Sequence, residues 1–327
     1  MLWKLPEAKA ADSRNKFEDL SGVDIATYEN PYDALIEACQ NDPALIQTRY
    51  ATHRTTRNGQ QRAKLLSSEF SGLILDPILQ RLVDPTIEPG YQDHRNCLVF
   101  WARPPAHIRS LVERIQKELR TLAPNLWLMP LQNLHLTALE ITFSLTAPEI
   151  TAIINALGPK AAEAMTDYPY SHRARLIKPT LSYDGAAIAL SFLPAAGESL
   201  PKASRIITET RTSEDDAFTC HHLRRDLFNI AKATGVSVDS RYVVPSSHIT
   251  VGRFLTQDDH DSAEKMQKWF AKIDDVNKWL EAEYWPKEGG GRNLETEWLV
   301  GMEKGLDYRR GTLWYGGGET VRLGKGF

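Results

Sequence analysis

The spacing of apolar positions changes along the chain, and each change marks an element. Residues 97–102 are a short apolar run, read as a strand; Ile108, Leu111, Val112, Ile115 and Leu119 then recur at helical spacing, and 131–143 returns to strand-like alternation. The order repeats further on. Residues 186–193 form an apolar strand, the stretch after Ser213 makes a helix through Leu223, Leu227 and Ile230, and 242–255 reads as a second alternating strand. Each unit is strand, helix, strand. Such duplicated units bring equivalent strands together about a pseudo-twofold axis.

Local signals fill in the connections. Thr146 with Glu149 three residues later predicts a helix start, and Asp261 with Glu264 repeats it ahead of Met266, Trp269, Phe270, Ile273 and Leu280. Residues 173–182 and 186–193, joined through Tyr183-Asp184-Gly185, predict a hairpin because Asp-Gly suits a tight turn. Short strands are expected at 298–300, 312–315 and 320–323, around glycine turns. Residues 1–95 differ in character, with short helical candidates at 32–40, 44–51 and 78–83 between Asn, Pro and Gly breaks. They are read as an N-terminal helical extension to a two-lobed domain at 96–327, covering part of that domain or its cleft entrance.

Composition narrows the class. The chain of 327 residues is 42% hydrophobic and 25% charged, which suits a globular fold with a sizeable core. A formal charge of -3 argues against long duplex nucleic acid held by its phosphates, a mode that normally needs a basic face. A nucleotide or an oligonucleotide end remains compatible. One local excess runs against the total: residues 49–64 hold Arg49, Arg54, Arg57, Arg62 and Lys64 with no acidic residue, read first as a solvated face and second as a phosphate-contacting arm. Cys39, Cys97 and Cys220 lie far apart without metal-ligand or disulfide spacing, which predicts a reducing, intracellular setting, cytoplasmic or nuclear. No run approaches membrane-spanning length and no lipidation signal is present, so no membrane association is expected.

The chemistry concentrates in two segments, Leu134-His135-Leu136-Thr137 and Ser247-His248-Ile249-Thr250. A strand alternates its side chains with period two, so in each segment the imidazole and the hydroxyl share one face and the aliphatic residues take the other. Two such strands facing one cleft hold two acid/base groups and two hydroxyl donors around one anion. His53-Arg54-Thr55 fits the same short pattern but sits in a polar, basic stretch where residues two apart do not share a helix face, so it is set aside. The triple glycines at 289–291 and 316–318 lack the Lys and Ser/Thr of a phosphate loop. His221 and His222 are adjacent on a helix and point apart, which does not suit zinc, and Cys220 beside them cannot pair with either as a nucleophile.

His135-Leu136-Thr137 together with His248-Ile249-Thr250-Val251-Gly252-Arg253 resembles the two-histidine phosphoesterase superfamily, which includes RNA cyclic phosphodiesterases of the bacterial RNA-ligase-like type. The second segment matches the family's His-x-Thr-aliphatic-x-Arg form. In the first, Ala138 stands where a larger aliphatic residue is usual, and the separation of 113 residues (248 minus 135) implies insertions. The resemblance covers 96–327 by topology and implies an α+β, bilobal, pseudo-twofold fold. Two antiparallel sheets with outer helices would flank a central cleft. It implies a monomeric, metal-independent hydrolase without cofactor that opens 2',3'-cyclic phosphates of nucleotides or RNA ends to 2'-phosphates. His135 and His248 would be the acid/base pair, and Thr137 and Thr250 would hold the phosphate. An RNA 3'-end exonuclease and a non-catalytic nucleotide-binding module are the alternatives.

Three further expectations concern the cleft. Arg253 follows Thr250 by three: on a regular strand it points away from His248 and packs or pairs outside, whereas a bulge at Gly252 would return it to the cleft to contact phosphate. Tyr242, Trp314 and Tyr315 lie on or near strands that would border the cleft and are candidate platforms for a base or ribose. Arg309, Arg310 and Arg322 are read first as an exposed turn and second as added positive charge at the cleft.

Overall fold

The computed structural model describes residues 18–201 and 211–327. The described chain is α+β, with seven helices and an antiparallel sheet that curls strongly into a half-barrel. The helices are α1 (Asp33–Ala38), α2 (Pro43–Leu65), α3 (Pro77–Val83), α4 (Ala106–Arg120), α5 (Ala147–Asp167), α6 (Cys220–Ala233) and α7 (Ala263–Tyr284). The strands are β1 (Asn96–Ala102), β2 (Trp127–Leu128), β3 (Leu136–Leu145), β4 (Arg175–Tyr183), β5 (Ala187–Pro194), β6 (Ser247–Arg253), β7 (Trp298–Leu299), β8 (Leu306–Gly311) and β9 (Glu319–Leu323).

These strands form one nine-stranded sheet in the order β7-β4-β5-β6-β3-β1-β8-β9, with β2 paired to β6. At its centre β3 and β6 meet through one register pair, Leu136 with Ile249. Where two sheets were expected, the described strands form a single sheet that is continuous through that pair.

Most local signals act as read. The predicted apolar positions of α4 and α7 are buried in the main core. Thr146 and Glu149 close a reciprocal capping box on α5, and α7 is capped by Ser262, one residue after the expected Asp261. In the β4–β5 hairpin the Asp184 side chain accepts from the amides of Ala186 and Ala187, both at 2.9 Å, which fixes the turn.

Other boundaries differ, for physical reasons. The segment expected as a helix over 44–51 runs to Leu65, because the face it buries stops being apolar after Tyr50 and continues through His53. Among the described residues no strand flanks the outer side of β4 beyond Ile177, since β7 pairs only with Arg175 and Leu176. Side chains of α2 cover that edge instead. Arg54, Asn58 and Arg57 donate to the carbonyls of Lys178 (2.7 Å), Leu181 (3.1 Å) and Tyr183 (3.1 Å). The strand expected over 242–255 is only Ser247–Arg253, and a 3-10 turn at Leu131–Asn133 precedes β3. Residues 312–315 are not a strand. The chain turns there, ending on Gly316 at φ 82°, and the real strand is the charged Leu306–Gly311 just before it.

Candidate functional site

The concave face of the sheet bounds a cavity of about 270 Å³. His135, Thr137, His248 and Thr250 all line it, while Leu134, Leu136, Ile249 and Val251 are buried in the core behind them. The Leu136–Ile249 pair sets this geometry: in antiparallel register it sets His135 against Thr250 and Thr137 against His248.

The next feature is a repeated irregularity. In β3, Phe100 pairs with Leu139 and Trp101 with Thr137, so Ala138 is an extra residue. In β6, Ile188 pairs with Gly252 and Ala189 with Thr250, so Val251 is extra. Each strand therefore bulges immediately after its threonine, and the residue three positions beyond that threonine returns to the cavity face. These residues are Glu140 and Arg253, and both line the cavity. The bulge expected near Gly252 is present. Glycine is required there because a Cβ would meet the Trp127 carbonyl oxygen at 2.8 Å, where β2 pairs alongside β6.

Each imidazole is oriented. His135 Nδ1 donates to the Asn133 carbonyl at 2.7 Å, which leaves Nε2 as the basic nitrogen of the neutral ring. His248 Nδ1 is 2.9 Å from Ser246 Oγ, and the Tyr242 ring lies 6.1 Å away. Burial pushes the pKa of both histidines down to about 3, reinforced for His135 by Arg103, His248 and Arg309, and for His248 by Arg57 and Arg224. Both rings are only half-buried, so entering water tempers the size of the shift; the direction is toward neutral imidazoles. An unperturbed value near 6.5 therefore does not describe either ring in the ligand-free cavity.

Cations and aromatic rings complete the walls. Arg253 lines the cavity, with Nη1 3.9 Å from Asp76 Oδ2 and its buried Nε lacking a hydrogen-bond partner among the described residues. Arg224, itself buried, donates to the Thr137 carbonyl at 3.0 Å. Tyr242 and Trp314 line the cavity as expected. The Trp314 ring is occupied by guanidiniums, Arg241 at 4.3 Å and Arg95 at 4.4 Å.

Tyr315 is not brought to the cavity. Its hydroxyl donates to Asp76 at 2.7 Å and its ring packs edge-on against Trp127, because the segment turns instead of continuing as a strand. Arg309, Arg310 and Arg322 do not line it either. Arg309 donates to the Gly317 and Gly318 carbonyls, Arg310 pairs with Glu319, and Arg322 pairs with Glu163.

Several cavity residues escaped the sequence reading. His53, set aside there, lines the cavity from α2 and is 3% exposed, with Nδ1 accepting from the Leu20 amide at 3.1 Å. Of the basic stretch, Arg54 and Arg57 line the cavity while they hold the β4 edge, and Arg57 also pairs with Asp184 at 2.7 Å. Arg49 and Arg62 are committed elsewhere, to the Ser21 carbonyl and Asp274. Glu140 carried a usable signal as the lone charge in the apolar strand Leu136–Leu145, but its partner Arg241 comes from a distant loop. His221 and His222 point apart as expected. His221 bonds Tyr50 and the Tyr32 carbonyl, and His222 bonds Thr219 and Asn41. Cys220 is buried against Ser247 and Tyr50.

Among the described residues no three His, Cys, Asp or Glu side chains cluster as metal ligands, and no helix is long and apolar enough to cross a membrane. The sequence matches no protein-family model and no curated protein.

Proposed function

We propose that this protein is a two-histidine phosphoesterase that opens 2',3'-cyclic phosphates to 2'-phosphates. The observation that carries the reading is the pairing of Leu136 with Ile249, which gathers two His-x-Thr segments from distant parts of the chain at one cavity. Four strands lie on each side of that junction, β6, β5, β4, β7 on one and β3, β1, β8, β9 on the other, and each central strand neighbours the strand that precedes it in its strand-helix-strand unit. This arrangement, with matched bulges, supports a pseudo-twofold, two-lobed reading of the sheet.

In this reading the hydroxyls of Thr137 and Thr250, with Arg253, hold the nonbridging oxygens. One imidazole takes a proton from water as the water oxygen bonds to phosphorus. The bond from phosphorus to the ribose 3'-oxygen breaks, and the other imidazole gives that oxygen its proton. The acid must arrive protonated, and the negative charge of the bound phosphate raises a histidine's proton affinity. Burial favours the neutral form of both rings in the empty cavity, and a bound phosphate would act against that shift to favour protonation of the acid.

The test is turnover of the four 2',3'-cyclic nucleotides against short RNA carrying a cyclic end, with the phosphate position identified in the product. A 2'-phosphate product formed equally well with chelator present is the expected result. Absence of turnover on every one of these substrates would sink the reading.

A further inference from the structure

The two bulges deliver residues of opposite charge, Arg253 after Thr250 and Glu140 after Thr137. Glu140 does not meet the cavity as an unpaired carboxylate. Arg241 grips it through Nη2 at 2.6 Å and Nε at 3.0 Å, and the Arg241 backbone amide adds a third bond at 3.0 Å. The guanidinium carbon lies 4.1 Å from the Phe143 ring and 4.3 Å from Trp314, which fixes the plane of the fork. Both members of the pair line the cavity, and Arg241 Nη1 makes no hydrogen bond among the described residues. Each bulge thus brings a guanidinium to the cavity, Arg253 directly from β6 and Arg241 through the Glu140 carboxylate of β3.

Resting on the phosphate reading, we propose that Arg241, oriented by Glu140, is a second anion-binding residue that holds a nonbridging phosphate oxygen opposite Arg253. Glu140 is then a positioning residue. A purely structural ion pair has no need of the cavity face, and buried pairs of that kind are replaceable by apolar residues at little cost. The bulge that brings Glu140 round to the cavity sets this pair apart from buried ion pairs such as Arg175 with Asp216 and Glu297, none of which lines it.

Inorganic phosphate, titrated calorimetrically, is the probe. Arg241→Gln and Arg253→Gln are each expected to weaken its binding about tenfold or more, since each removes a charge-assisted hydrogen bond. Because a lone buried Glu140 could unfold the protein, Glu140→Leu with Arg241→Met removes the pair together and should show the same loss with the melting transition retained. Arg241→Lys keeps the charge pair but not the planar fork, and should weaken phosphate several-fold and raise KM with little change in kcat. Wild-type affinity in Arg241→Lys or in a folded double variant overturns the inference, as does wild-type protein that does not bind phosphate. Phosphate binding through Arg241 without turnover of any cyclic phosphate would refute the proposed reaction and leave this anion site standing.

Discussion

Trp101 and His135 lie face to face, with ring centroids 3.7 Å apart and planes inclined by 15°. Stacking fixes the imidazole plane, and the bond from Nδ1 to the Asn133 carbonyl fixes its rotation within that plane. The tryptophan is itself held, with Arg103 and Arg309 guanidiniums 4.7 and 5.2 Å from its ring. Trp101→Leu keeps an apolar wall but removes the flat support. We expect kcat on a 2',3'-cyclic nucleotide to fall about 10- to 100-fold with KM nearly constant, as for a misoriented catalytic group.

His135→Ala and His248→Ala should each lower turnover by about 10²- to 10⁴-fold while leaving the fold intact. Circular dichroism and steady-state kinetics on the same preparations separate the two effects. Full activity in either variant would remove that histidine from the mechanism.

Gly316 offers a subtler perturbation. It adopts φ 82°, and a Cβ there would run into Asn133, whose carbonyl holds His135. Gly316→Ala should therefore reduce kcat by about tenfold without touching any group that meets substrate. The expected signature is a shifted His135 ring resonance in NMR together with a melting temperature lowered by a few degrees, for a destabilisation on the order of 1 kcal/mol.

What the sequence made legible was local or periodic. The His-x-Thr strands, the apolar faces of α4 and α7, the Thr146 cap and the Asp184 turn each depend on a few neighbouring residues, and each is found. The bulge at Val251 was readable because Gly252 marks it; the matching bulge at Ala138 has no glycine and arises from the pairing of β3 with β1. The length of α2 is not legible because the face it buries turns polar after Tyr50: His53 accepts from the Leu20 amide, and Arg54, Arg57 and Asn58 donate to carbonyls more than a hundred residues away. Long-range pairing of polar groups leaves little periodic trace, which also hid the Arg241–Glu140 pair.

Stability should fall on acidification. Burial lowers the pKa of His221 to about 3 and those of His222 and His260 to about 4, against about 6.5 in an unfolded chain. Between about pH 6.5 and those values the unfolded state binds more protons than the native state, so stability present above pH 6.5 is lost as pH falls through the window. His221 is fully buried, with Nε2 donating to the Tyr32 carbonyl at 3.0 Å, and alone accounts for a loss on the order of a few kcal/mol. Urea midpoints from pH 7.5 to 4.5 check this, and a flat profile would contradict it.

Anion binding and protonation should be linked in the cavity. Phosphate stabilises an imidazolium at His135 or His248, so its binding takes up protons and tightens as pH falls. Titrations in two buffers of different ionisation enthalpy measure that uptake. The same shift predicts a more acidic optimum for kcat/KM, which reports the empty site, than for kcat, which reports the occupied one.

The polar cover that α2 lays along β4 also bears on solubility. Arg54, Asn58 and Arg57 satisfy carbonyls that would otherwise await a strand from another molecule. A chain trimmed to begin at residue 96 would lose that cover and expose an adhesive sheet margin. Its characteristic failure would be self-association in edge-to-edge register, even where both His-x-Thr strands remain correctly folded.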